Sequence, residues 1–287
     1  MKISVSSYSF SRAFRDGRMT QFDTIAKAKE MGMAGIEFSG LNPAEGESRA
    51  DYAKRVREEC ERVGIPMVNF SSSADFLRAG NVEAEIERIR GEVDLAAILG
   101  VPCMRHDATF GFPEGTRKWQ GFDQILPLLA NACRQITEYA ASKCIRTCVE
   151  NHGQLVQESR RVEKLINAVG HENCGQLIDV GNFACADEAC EVAMGRNAPY
   201  AFHVHAKDFH IRSGNNDNPG RGFFTSRSGN YLRGAIIGHG DVPVHQCIRI
   251  LKANGYDGYV SIEFEGLEDP LEAIAIGAEN LRRFIEE

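Results

Sequence analysis

Residues 99–108, LGVPCMRHDA, close a helical segment at a glycine, run through a short β-rich stretch and end in the polar trio Arg105, His106 and Asp107. The same unit recurs as MGMAGIEFSG (31–40), VGIPMVNFSS (63–72), SKCIRTCVENHG (142–153), ENCGQLIDVGN (172–182) and NGYDGYVSIEFEG (254–266). With the run after Met1 and AFHVHAKD (201–208), the chain offers eight strands. They are expected near residues 2–10, 35–39, 66–71, 102–107, 145–151, 175–180, 201–207 and 259–264. The segments between them read as helices. Ile86, Ile89, Val93 and Ala96 fall three or four apart and share one buried stripe. In the last helix Asp269 is an N-cap, Pro270 takes the first position and Glu272 completes a capping-box spacing, while Leu271, Ile274, Ala278 and Leu281 form the stripe.

Strict alternation of strand and helix demands parallel strands with right-handed crossovers, and eight such units close into a (β/α)8 barrel, the TIM-barrel form of the α/β class. A doubly wound open sheet is the alternative, but it would announce a Gly-rich first turn, and the residues after Phe10 read SRAFRDGR. No composition shift marks a linker, so one domain over residues 1–287 is expected. One connection is unusual. After Asp208, at the end of the seventh strand, residues 209–241 carry seven glycines and four arginines and read as a long irregular loop over the barrel mouth, either a lid or an oligomer contact.

The 287 residues are 43% apolar and 25% charged, ordinary for a globular chain with a large core. A net charge of −7 and a pI near 5.7 argue against a surface that collects nucleic-acid phosphates or anionic lipid. Nine cysteines, an odd number without a C-x-x-C pair, fit a reducing cytoplasm better than a disulfide framework. No apolar stretch approaches membrane-spanning length and the N-terminus enters a strand directly, so a cytoplasmic location is expected, with no membrane partner.

Barrel enzymes keep their chemistry at the C-terminal ends of the strands. There the fifth strand ends in Glu150-Asn151-His152, the sixth in Asp179, the seventh in His203-Val204-His205-Ala206-Lys207-Asp208 and the eighth in Glu263-Phe264-Glu265. Three carboxylates converging on one mouth repel one another and resist ionising, a penalty that a divalent cation removes. Glu150, Asp179 and Glu263 with the imidazole of His205 make a mainly hard-oxygen donor set. That set favours Mn²⁺, with Mg²⁺, Co²⁺ or Zn²⁺ as further options, over a thiolate-rich structural zinc site. Phosphate-cradling, zincin and nucleophile-elbow motifs are missing from the sequence.

The second half of the chain, through VENHG, LIDVGN, HVHAKD and GYDGYVSIEFEG, resembles the xylose isomerase-like superfamily of TIM barrels. That superfamily includes tagatose 3-epimerase-like enzymes, inosose isomerases and dehydratases and, more distantly, endonuclease IV. The resemblance implies one divalent metal held by Glu150, Asp179, His205 and Glu263, with Glu150 and Glu263 exchanging a proton with a sugar or keto-polyol through a metal-stabilised enediolate. The implied activity is isomerisation or epimerisation. Rival readings are a dehydratase of a keto-inositol or dehydroshikimate-like substrate, and a sugar-binding pseudoenzyme or partner-dependent subunit. Endonuclease chemistry is disfavoured by the net charge.

Two positions depart from the epimerase-like pattern. Asn182 stands where a substrate-contacting His is usual, and Arg221 in NPGRG only loosely matches a substrate Arg. Further substrate contacts are expected from His106 as a base, His152, Lys207 and Glu37, the last as a hydroxyl acceptor. His203 reads as a buried packing imidazole, and Lys207 with Asp208 either as an ion pair or as contacts to substrate oxygens.

Overall fold

The glycine of the recurring unit has a stereochemical task. Gly100 ends the helix Val82–Leu99 at a left-handed φ of 75°, a conformation that Cβ-bearing residues resist, and turns the chain into the next strand. Asn81 caps the other end of that helix by accepting the Ala84 N–H, and Ile86, Ile89, Val93 and Ala96 are all buried beneath it. Asp269 likewise accepts the N–H groups of Leu271 and Glu272 at the start of the helix Pro270–Glu286.

The computed structural model describes residues 1–116 and 120–287. Its strands are β1 (Lys2–Ser6), β2 (Gly35–Ser39), β3 (Met67–Ser72), β4 (Cys103–His106), β5 (Arg146–Glu150), β6 (Cys174–Asp179), β7 (Ala201–Ala206), β8 (Asp208–Arg212), β9 (Phe224–Thr225), β10 (Tyr231–Ala235) and β11 (Tyr259–Ile262). Strands β1 to β7 and β11 form a closed, all-parallel barrel in the order β1-β11-β7-β6-β5-β4-β3-β2, with helices around it. This is the expected (β/α)8 barrel. Among the described residues, no helix is long and apolar enough to cross a membrane.

Two expectations need correction. The first strand stops at Ser6 rather than near residue 10, because the Ser6 hydroxyl accepts the Tyr8 N–H and starts a 3-10 turn over Ser7–Phe10. The segment after Asp208 is not an irregular loop. β8, β10 and β9 make a three-stranded antiparallel sheet, with Leu232 paired to Ile211 on one side and to Phe224 on the other.

Asp208 anchors this insert. Its carboxylate accepts the N–H groups of Phe209 at 2.8 Å, Gly238 and Gly240 at 2.9 Å and Val242 at 3.1 Å, tying the entry of the insert to its exit. A Cβ on Gly240 would lie 2.1 Å from that carboxylate, so the junction admits only glycine. Asp208 is therefore committed to the backbone and forms neither of the contacts expected of it. At the far end, Asp187 accepts bonds from the Ser226 hydroxyl, the Ser228 N–H and the Asn230 amide, and Arg227 pairs with Glu158.

Register sets what faces the barrel interior. Arg105 lies opposite Cys148, and Asp179 opposite His205, so the charged strand ends share one face. Two residues below them Cys103, Cys148 and Leu177 form a separate apolar cluster packed by Phe202.

Candidate metal centre

Glu150 and Asp179 are the last residues of β5 and β6, His205 lies in β7, and Glu263 follows β11, where its N–H bonds to the Ala206 carbonyl. All four are buried, and one ligand-type atom from each lies within 4.8 Å of the others. Asp179 Oδ1 accepts the N–H groups of Gly181 and Asn182, both at 2.9 Å, which fixes the carboxylate and leaves Oδ2 for the cluster. One oxygen of Glu150 accepts the Asn182 amide at 3.0 Å, and the other pairs with Arg105.

His205 is oriented from behind. Its Nε2 donates to Glu37 Oε1 at 2.7 Å, so Nδ1 is turned to the cluster, 3.3 Å from Glu263 Oε1. His203 contacts the other Glu37 oxygen at 2.6 Å and the Ser261 hydroxyl at 2.9 Å. Glu37 is fully buried. Burial would raise its pKa, but the imidazoles of His205 and His203 hold it well below the usual carboxylate range. A carboxylate behind an imidazole fixes its tautomer and presents the other nitrogen's lone pair to a metal.

The charge balance rests on Lys207. Its ammonium lies 2.8 Å from Asp179, 2.7 Å from Glu263 and 2.6 Å from Glu265. Burial opposes the charge of Lys207, but Asp179, Glu263 and Glu265 raise its pKa well above the ordinary value. Glu263 is pulled well down, against its burial, by His205 and Lys207. Asp179 is pushed up to about 7, first by burial and then by Glu263 and Glu150, with Lys207 opposing. His205 goes well up, against its burial, through Glu263 and Glu37.

The residues fit a cation. His205 Nδ1 is buried without a hydrogen bond, and Asp179 Oδ2 is buried with the Lys207 ammonium at 2.8 Å, in a cluster whose other ligand-type groups are carboxylates. Three carboxylates and one imidazole form the donor chemistry of a hard divalent ion.

A cavity of about 1290 Å³ opens above the cluster. Of the sequence-derived substrate contacts, His152, Asn182 and Lys207 line it, whereas His106, Glu37 and Arg221 do not. His106 is wholly buried, with Nδ1 at 2.8 Å from the Asp107 carbonyl and its ring edge-on to Phe76. Its neighbours Arg105 and Asp107 take the inner face by strand parity and line the cavity. Glu37 sits beneath the imidazoles instead of facing substrate, and Arg221 is exposed on the insert. His203 does more than pack, since it holds Glu37. Asn182 joins three groups: it donates to Glu150, lies 3.3 Å from Lys207 through Oδ1, and bonds Asp179 through its N–H.

Arg105, Arg227 and Tyr8, which the sequence does not single out as substrate contacts, also line the cavity. Parity along Arg105-His106-Asp107 was the available signal for the first. The other two depend on how the insert and the turn after β1 fold back. At the rim, His152 Nδ1 lies 2.9 Å from Asp107 Oδ1. Burial lowers the His152 pKa, but Asp107 and Glu150 outweigh it and the net shift is upward.

A family model described as a xylose isomerase-like TIM barrel matches residues 25–284. Two curated inosose dehydratases of Clostridium perfringens are 27% identical over 165 residues, 55% of this chain and 53% of theirs, so the chain spans about half the length of the curated relatives it matches. Among solved structures, the IOLI protein with a bound zinc atom superposes with a TM-score of 0.75 at 17% identity, covering 100% of this chain and 98% of the other. L-ribulose 3-epimerase gives 0.73 at 16% identity, covering 99% and 94%. The probable 3-DHS dehydratase AsbF of Bacillus anthracis gives 0.69 at 19% identity, covering 97% of both chains. The fold, the strand-end ligand set and the extent of the family match lead to one assignment: the chain belongs to the xylose isomerase-like TIM-barrel family.

Proposed function

We propose that this protein is a divalent-metal-dependent isomerase or epimerase of a sugar or keto-polyol, acting by proton transfer at a carbon beside a carbonyl. The observation that carries this reading is the convergence of Glu150 and Glu263, from strands separated by β6 and β7, on the buried Asp179 carboxylate and the His205 Nδ1 that has no hydrogen bond. Glu150, Asp179, His205 and Glu263 would hold the metal, with Mn²⁺ the expected ion. Bound there, a divalent ion supplies Lewis-acid stabilisation to the substrate oxygens as the C–H bond breaks.

The chain's own residues do the rest. Glu263, kept deprotonated by His205 and Lys207, accepts the proton. Glu150, held in a fixed orientation by Arg105 and Asn182, takes a proton from solvent and delivers it to the carbon, and Glu263 releases the one it accepted to solvent. Lys207 offers a buried positive charge to the oxygen that becomes negative. Transfer on one face gives aldose–ketose interconversion, and transfer between faces inverts a centre.

The test is deuterium wash-in from solvent across ketoses, aldoses and inososes with Mn²⁺ present. Exchange beside the carbonyl is expected, falling about 10²–10⁴-fold in Glu150→Gln and in Glu263→Gln. Full exchange in both variants would refute the roles.

A second reading, dehydration of a keto-polyol, is favoured by the His152–Asp107 pair at the rim. An imidazole whose proton is held by Asp107 and Glu150 is suited to protonate a departing hydroxyl. A product lighter by one water would assign that reaction.

A further inference from the structure

We propose that the substrate carries a second sugar ring, bound in an outer aromatic chamber of the same cavity while the reacting sugar sits at the carboxylates. This rests on the sugar reading above and narrows it. The cavity, at about 1290 Å³, exceeds the roughly 300–1,000 Å³ that suffices for a drug-sized ligand, and a lone monosaccharide fills a fraction of it.

The cavity is not uniform along its depth. At the bottom lie the buried Glu150, His205, Lys207 and Glu263. Towards solvent the walls carry Phe110 and Phe112 from the turn after β4 and Phe224 from β9 of the insert, while Tyr8, from the turn after β1, lies within electrostatic reach of Glu265, Lys207 and Glu263 at the floor. Phe224 is 41% and Tyr8 42% exposed. A single exposed ring needs no explanation, but three on the wall of one opening form a surface that water wets poorly.

The chemistry between the rings selects the occupant. Gln154 and Thr225 line the same cavity and bring an amide and a hydroxyl among the aromatic faces. A pyranose has that dual character, since its C–H face lies flat on an aromatic ring while its hydroxyls reach sideways to polar groups. A phosphate would draw on the rim guanidiniums, of which Arg227 is engaged by Glu158 and the Gln154 carbonyl and Arg161 by Glu158 at 2.7 Å and the Leu155 carbonyl at 3.0 Å, while Arg78 stands 4.0 Å from Asp75 on the side of the rim away from the insert. The wall carrying Phe224 is also built in advance. Asp208 ties the base of the insert and Asp187 its turn, so a ligand meets a formed surface and loses less in ordering it.

The test is calorimetric binding to the full-length, Mn²⁺-loaded protein of a keto-hexopyranose in three forms: methyl glycoside, glucosyl glycoside and phenyl glycoside. The glucosyl form is expected to bind about tenfold more tightly than the methyl form, the size of one aromatic stacking contact. That ratio should shrink in Phe224→Ala and in Phe112→Ala and vanish in the double variant, with unchanged thermal midpoints confirming folded protein. Equal affinity for the methyl and glucosyl forms, a gain for the phenyl form alone, binding of none of the three, or a ratio that survives the double variant would each overturn the proposal. Because the readout is binding, a glucosyl preference without deuterium exchange would sink the proton-transfer reading and leave this one standing.

Discussion

Two layers of the barrel interior, one side-chain step apart, follow opposite physics. In the lower layer Cys103 and Cys148 bring their sulfurs to 3.5 Å beside Leu177, and burial pushes the Cys148 thiol well above its ordinary pKa. In the upper layer Arg105, Glu150 and Asp179 occupy the next inward positions of the same strands and are buried almost as fully. The lower layer tolerates burial because it is neutral. The upper layer tolerates it only because each charge has an opposite neighbour. A pocket of paired charge on an apolar floor has a lower dielectric than water, which strengthens every interaction made with a substrate there. It also makes each member costly to remove.

The sharpest way to break this contrast is to delete the cation of the upper layer. Lys207→Met leaves Asp179, Glu263 and Glu265 facing one another, and should lower unfolding free energy by about 3–5 kcal/mol in metal-free protein. Saturating Mn²⁺ should recover much of that loss, about 2.7 kcal/mol at a hundredfold excess over Kd. Urea unfolding with and without Mn²⁺ measures both. A loss that Mn²⁺ does not offset would mean that the carboxylates do not share a cation.

The next largest effect concerns the groups beneath the ligand layer. Glu37→Gln keeps the volume but replaces one acceptor oxygen by an amide donor, so one of His203 and His205 loses its partner. Affinity for Mn²⁺ should fall about 10–100-fold, the usual cost of losing such a support, in a titration that follows free Mn²⁺ by electron paramagnetic resonance. Asp208→Ala acts farther from the centre. It strands four backbone N–H groups at the base of the insert and should cost about 2–3 kcal/mol. Amide exchange should quicken at Phe209, Gly238, Gly240 and Val242 before it does in β5 or β6.

These residues also show what the sequence makes legible. Glu150, Asp179, His205 and Glu263 can be found without a structure, because each lies at the end of a β-rich run, where a parallel barrel gathers its side chains whatever the details of closure. Glu37 cannot be placed that way. Its contacts with His203 and His205 reach across the barrel interior, past β1 and β11, and exist only once closure fixes which residues face one another. His106 attracts attention as a base on chemical grounds, while parity turns it away and Arg105 inward. The insert hides for a different reason. Its pairs, such as Phe209 with Gly234, are long in sequence separation, and the glycines in the connections between its strands make the whole segment read as a loop.

The smallest effect is expected in the lower layer itself. A thiol reacts as its thiolate, and Cys148 is both wholly buried and shifted away from ionisation, whereas Cys144 is exposed on the turn before β5. Alkylation of the native protein should therefore label Cys144 while sparing Cys103 and Cys148, which react only on unfolding. Cys148→Ala should cost about 1 kcal/mol, the scale of trimming a small buried side chain, without altering Mn²⁺ affinity. Rapid labelling of Cys148 in folded protein would show that water reaches the barrel floor. The charges one step above would then be solvated, and the low-dielectric account of their pairing would fail along with the predicted cost of Lys207→Met.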